Sequence, residues 1–250
     1  MISRLLGTGL TALLAVMACA AGGCGDSSES TSPAVSPDSL RVEDTVAVRI
    51  DSVLPAEDRD PYAKLTDTDF RLVAKELGVE VAAIKAVVEI EAGKAMKGFV
   101  APGVPVVNFD PTMYARYRGK ARNKAGDKSA KVPAGLSGYA LREWTQLTNA
   151  RKNNRDAADM GTFWGMFQIG GFNYKLCGCE SVGEFVTLMS KSELEQLELF
   201  AALIRNCGML PDLQNKNWAG FARKYNGASY ARRGYHTKMA NAYRRHSTKK

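Results

Sequence analysis

Ala83-Ile84-Lys85-Ala86-Val87-Val88-Glu89-Ile90-Glu91-Ala92-Gly93 reads as a helix about to end, with a carboxylate on its greasy side. At about 100° per residue, Val81, Ile84, Val87, Val88 and Glu91 share one face, the pattern of a core-facing stripe. Burial disfavours the charged form of a carboxylate, and the C-terminal end of a helix adds partial negative charge, so both effects raise the pKa of Glu91. A carboxyl group kept neutral near pH 7 is what general-acid catalysis needs. Glu89 lies about 140° round from Ile84 and reaches solvent, so the two glutamates are not equivalent. The competing reading of Glu91 is an ion pair with one of the chain's 34 lysines and arginines.

Helical spacing continues on both sides of this stretch. Asp67 to Leu77 predicts a helix ending at Gly78, and Val79 to Ala92 the helix just described. Gly98, Pro102, Gly103 and Pro105 punctuate Phe99-Val100 and Val106-Val107-Asn108-Phe109, which predicts a small hairpin. After a polar excursion at Asn123 to Ser129, helical spacing resumes from Gly138 to Arg151. Trp164 to Gly171 is an aromatic segment flanked by glycines, and Gly183 to Met189 is a short helix. Ser192 then caps a strong helix whose apolar face is Leu197, Phe200, Ala201 and Ile204. Trp218 to Tyr225 and Ala231 to Tyr243 complete a mainly α bundle in which the hairpin is the only sheet expected.

The 250 residues fit one core-forming domain with accessory segments. Residues 1–24 read as an export signal, with Arg4 before an apolar run from Leu5 to Met17. That run is short and broken by Gly7, Thr8 and Gly9, which favours a cleaved signal over a permanent span. Ala21-Gly22-Gly23-Cys24 looks like a bacterial lipoprotein processing site, so Cys24 is the expected lipid attachment point and a membrane the expected anchor. Val16-Met17-Ala18-Cys19 is the second candidate, and a soluble secreted protein is the alternative. Residues 25–62, rich in Ser, Pro and acids, read as a tether, with Val46 to Ile50 as a possible strand in it, and residues 63–246 as the catalytic domain.

The formal net charge is +8, and Asn215 to Lys250 contains no acid. Such a surface attracts polyanions; for an exported chain, wall polymer or membrane is expected and nucleic acid is not. Cys177, Cys179 and Cys207 permit one disulfide from Cys207 in an oxidising compartment. No metal or other cofactor is expected, since only two histidines accompany these thiols.

An acid ending a buried helix, a hairpin after it, a Gly-x-x-Gln-Ile turn and a late Tyr-Asn-Gly together resemble the N-acetylmuramidase family of the lysozyme superfamily. The likeness runs from about Asp67 to Tyr243 and is carried by Ala86 to Glu91, Trp164 to Asn173, Ser192 to Leu197 and Trp218 to Gly227. It implies a lysozyme-like helical bundle that acts, as a monomer, on the β-1,4 bond between N-acetylmuramic acid and N-acetylglucosamine in peptidoglycan glycan strands. It further implies Glu91 as the catalytic acid, with Trp164, Gly165, Phe167, Gln168, Tyr225 and Asn226 lining the substrate cleft. Trp164 and Phe167 either stack on sugars or pack beneath the turn, and Tyr225 is either a cleft residue or a core aromatic. The chain departs from the family pattern at Phe109-Asp110-Pro111 and at Phe163. Asp110 is the candidate second carboxylate: it activates water, stabilises an oxocarbenium-like transition state, or only caps the next turn. With Asp110 open, a lytic transglycosylase and a catalytically inactive glycan-binding protein stand as the alternatives to a hydrolase.

Overall fold

In the computed structural model, residues 60, 62–93, 96–121 and 125–248 are described. The export signal, Cys24 and all but Asp60 and Tyr62 of the expected tether lie outside them. From Pro61 onward the chain forms one compact unit.

Two short helices open it. α1 (Asp67–Leu77) starts in a capping box, where the Thr66 side chain and the Asp69 carboxylate each satisfy a backbone N–H of the other residue. It stops at Gly78, whose φ of 61° is left-handed backbone suited to glycine. α2 (Val81–Glu91) buries Ala83, Ile84, Ala86, Val87 and Val88. The hairpin follows, but it is smaller than expected. β1 (Phe99–Ala101) pairs with β2 (Val104–Pro105), because Pro102 and Gly103 turn the chain within two residues, Gly103 at φ 69°.

Val106 then hands the chain to a second sheet that sequence periodicity did not foresee. Its N–H bonds the carbonyl of Gly98 at 2.9 Å, and its carbonyl takes the N–H of Gly165 at 2.8 Å. β3 (Val107–Phe109), β4 (Thr162–Trp164) and β5 (Ile169–Gly170) form this antiparallel sheet in the order β3-β4-β5, with Asn108 opposite Phe163 and Trp164 opposite Ile169. These strands are two or three residues long, too short to show an alternating pattern.

Between β3 and β4 lie α3 (Pro111–Arg118), α4 (Gly138–Arg151) and α5 (Arg155–Met160). After β5 come α6 (Val182–Met189), α7 (Glu193–Asn206), α8 (Leu210–Gln214), α9 (Trp218–Asn226) and α10 (Tyr235–Thr248). α7 begins as expected, the Ser192 hydroxyl accepting the N–H of Glu195. α10 starts four residues later than expected, because Gly234 sits at φ 66° and breaks the helix there. It packs along α2 and against α9.

One core joins the bundle to the second sheet. Phe167 stacks on Phe200 of α7 with ring centroids 4.2 Å apart, and Phe200 meets Tyr225 edge-on at 5.4 Å. Trp144 and Trp164, both buried, are 6.1 Å apart and donate their indole N–H groups to the carbonyls of Pro105 and Asp159. Asp159 beside them is paired with Arg151 at 2.6 Å, an internal role that leaves this acid no access to a cleft. Cys177 and Cys179 are buried free thiols, so a bridge from Cys207 to either is absent.

Candidate active site

Glu91 is the last residue of α2. Its carboxyl is crowded by protein atoms, yet the residue as a whole is only half-buried. Burial pushes its pKa up from 4.5 to about 8, against the opposing effect of one hydrogen bond. That bond comes from Asn226, whose Nδ2 donates to Oε1 at 2.9 Å. Asn226 is itself buried, at the end of α9. With Oε1 engaged as an acceptor, the proton of the neutral acid is left on Oε2.

Glu89, two residues earlier, has the opposite fate. Although burial raises its pKa, hydrogen bonds from Arg245 and His246 hold it below the ordinary carboxylate value. His246 lies 2.8 Å away, and Arg245 closes the ion pair.

Asn226 and Tyr225 come together from one turn of α9, and they act on different partners. The buried Tyr225 hydroxyl donates to the carbonyl of Phe167 at 2.8 Å and so clamps the loop between β4 and β5. Its ring packs between Phe200 and Phe221. Tyr225 is therefore a core aromatic that also fixes the cleft loop; its pKa is raised by burial and then by the nearby Glu91 charge.

Within that loop the expected cleft residues separate. Trp164 is fully buried, Phe167 is 2% exposed and Gly165 is also buried, so the three pack beneath the turn and offer no surface to a sugar. Gly165 is demanded by geometry: it has φ 69°, and a Cβ there would stand 2.6 Å from Oε1 of Gln196. Gln168 alone between Gly161 and Gly171 keeps partial exposure. It holds φ 50°, uncommon for a side chain of its length, and its Nε2 donates to the Gly165 carbonyl at 2.8 Å.

Asp110 is the N-cap of α3. Its Oδ1 accepts the N–H groups of Thr112 at 2.8 Å and Met113 at 3.1 Å, and Pro111 follows at the first helical position. Of the three roles open to it in the sequence, the capping role is the one with contacts in the structure.

Two residues of α7 escaped attention as individuals. Gln196 is fully buried and ties three segments: Oε1 accepts the Met166 N–H at 2.9 Å, while Nε2 donates to the carbonyls of Met189 at 2.9 Å and Gly98 at 3.3 Å. Glu193 accepts the N–H groups of Gly98 at 3.0 Å and Leu65 at 3.2 Å. Together they join the start of the hairpin to the β4–β5 loop. The same helical-phase argument that selected Glu91 finds them, since both share the face of Leu197 and Phe200.

With this geometry in place, comparison with known proteins is informative. The N-acetylmuramidase family model matches residues 80–247, from the start of α2 through nearly all of α10. A crystal structure of the Burkholderia AP3 phage endolysin superposes with a TM-score of 0.64 at 37% sequence identity, covering 77% of this chain and 74% of that one. No curated protein sequence matches. The chain belongs to the N-acetylmuramidase family.

Proposed function

We propose that this protein is a peptidoglycan glycoside hydrolase that cleaves the β-1,4 bond between N-acetylmuramic acid and N-acetylglucosamine, with Glu91 as general acid. The observation that carries this reading is a half-buried glutamic acid at the end of α2, held by the buried Asn226 at 2.9 Å and with its pKa lifted to about 8. At neutral pH Glu91 holds a proton to give to the glycosidic oxygen as the bond from that oxygen to the sugar's anomeric carbon breaks. Water completes the reaction, adding hydroxide to the anomeric carbon and its remaining proton to the Glu91 carboxylate. Asn226 positions the acid, and Gln168 and the loop around it border the cleft. Attachment to a membrane through a lipid on Cys24 belongs to the same proposal and rests on the sequence around that residue; palmitate labelling that persists in Cys24→Ser would defeat it.

A specific observation keeps one second reading in view. Asp110 spends its Oδ1 on the cap of α3, so of the two candidate carboxylates only Glu91 is left without a structural duty to a helix end. A lone acid/base suffices for a lytic transglycosylase, in which the muramic acid 6-hydroxyl attacks in place of water. Mass spectrometry of digested peptidoglycan separates the two. Reducing ends support hydrolysis and 1,6-anhydro ends support transglycosylation, while intact sacculi after prolonged incubation at pH 4 to 8 leave only a glycan-binding role.

A further inference from the structure

A cavity of about 390 Å³ opens between the end of α2 and the middle of α10, lined by Glu89, Ile90, Gly93, Tyr235, Lys238, Asn241 and Arg245. Its lining residues Ile90 and Gly93 flank Glu91 in sequence, and Tyr235 lies close enough to feel the Glu91 charge. Lys238, Asn241 and Arg245 recur at intervals of three and four residues, so they form one stripe of N–H donors roughly 10 Å long on α10.

The charges within the cavity do not balance. Arg245 is taken up by Glu89, which His246 also approaches from behind. Lys238 is exposed, rests over the Tyr235 ring 5.6 Å from its centroid, and has no carboxylate partner among the described residues. Arg233 adds positive charge at the Tyr235 end. Asn241 spends its Oδ1 on Arg244, and the Lys238 ammonium and the Asn241 amide N–H that remain in this hollow suit a carboxylate on the ligand.

On the reading of the substrate as peptidoglycan, we infer that this cavity receives a carboxylate of the short stem peptide borne by the muramic acid lactyl group. Lys238 and Asn241 are its ligands, and the Glu89–Arg245 pair is the wall that keeps the cavity open. In a peptide-bearing strand the lactyl carboxyl is tied up in its amide bond to the first stem residue, so the free carboxylates lie along the peptide substituents. The cavity would thus make the enzyme prefer strands whose stem peptides carry free carboxylates to the same strands with those groups amidated.

The test compares peptide-bearing glycan strands with the same strands whose peptide carboxylates have been converted to carboxamides. The readout is the ratio of kcat/KM for the two substrates in wild type and in Lys238→Glu. The ratio is expected to fall about tenfold in the variant, in line with loss of one charge-assisted contact. In parallel, calorimetry measures binding of a peptide-bearing tetrasaccharide and its carboxamide form to Glu91→Gln with and without Lys238→Glu. Discrimination in favour of the free carboxylate should disappear with the lysine. An unchanged kcat/KM ratio, or equal affinity for the two forms before Lys238 is replaced, overturns the inference. If wild type cuts neither strand, the glycosidase reading fails, and the binding arm still judges the cavity independently.

Discussion

Glu91 and Asp110 are both carboxylates at helix ends, and the ends are opposite. α2 finishes at Glu91, where no backbone N–H is free to cap the acid and burial strips it of water; its charged form is disfavoured and its pKa rises to about 8. α3 begins after Asp110, so two backbone N–H groups point at its Oδ1 and use it as a cap. One functional group thus becomes a carboxyl that keeps its proton at the end of one helix and a structural acceptor at the start of another. Backbone polarity and burial, rather than residue type, make the difference.

The strongest way to break this contrast is to neutralise each carboxylate. Glu91→Gln is expected to lower the turnover of peptidoglycan by on the order of a thousandfold in a turbidity assay, whereas Asp110→Asn, which preserves the capping oxygen, should lose only a few-fold. A comparable collapse in Asp110→Asn would give Asp110 a direct part in the chemistry and dissolve the contrast.

Stability against pH sharpens it next. Because the folded-state pKa of Glu91 is raised from 4.5 to about 8, its contribution is fully present below pH 4.5 and is lost as pH rises through 8. Replacing Glu91 by Gln removes that loss. The variant should therefore be more stable than wild type by about 3 kcal/mol at pH 7, with the gap closing toward pH 4.5, as denaturant titrations at the two pH values would reveal.

Asn226→Ala addresses the one group that favours the charged form of Glu91. Its loss should move the alkaline limb of the kcat/KM profile upward in pH and reduce kcat roughly tenfold through a less well-held acid. A limb that stays in place or moves downward would separate Asn226 from the titration of Glu91. The smallest effect is expected at the other helix end. Asp110→Ala should cost about 1 kcal/mol in thermal or chemical unfolding, the ordinary value of an N-cap.

Much of the bundle was legible because it follows from local rules. The Thr66–Gly78 and Ser192 boundaries, the face of α2 and the difference between Glu89 and Glu91 all follow from capping chemistry and helical phase. The second sheet was not legible. β3 and β4 are three residues each and separated by more than fifty positions, so neither periodicity nor turn chemistry announces their pairing. The candidate site divides along the same line. Glu91 stood out as an acid in an apolar stripe, but nothing local distinguishes Trp164, which is buried, from Gln168 four residues on, which reaches the surface.

By itself the sequence determined the helices, their caps and the phase that puts Glu91 inward, because those depend on residues within a few turns of one another. Only the tertiary structure decided that Asn226 reaches Glu91 from 135 positions away, that Tyr225 and Gln196 clamp the cleft loop, and that Asp110 is occupied as a cap. Those outcomes depend on which backbone groups are left without partners once distant segments have packed, and burying such groups unpaired would cost more than the fold could spare.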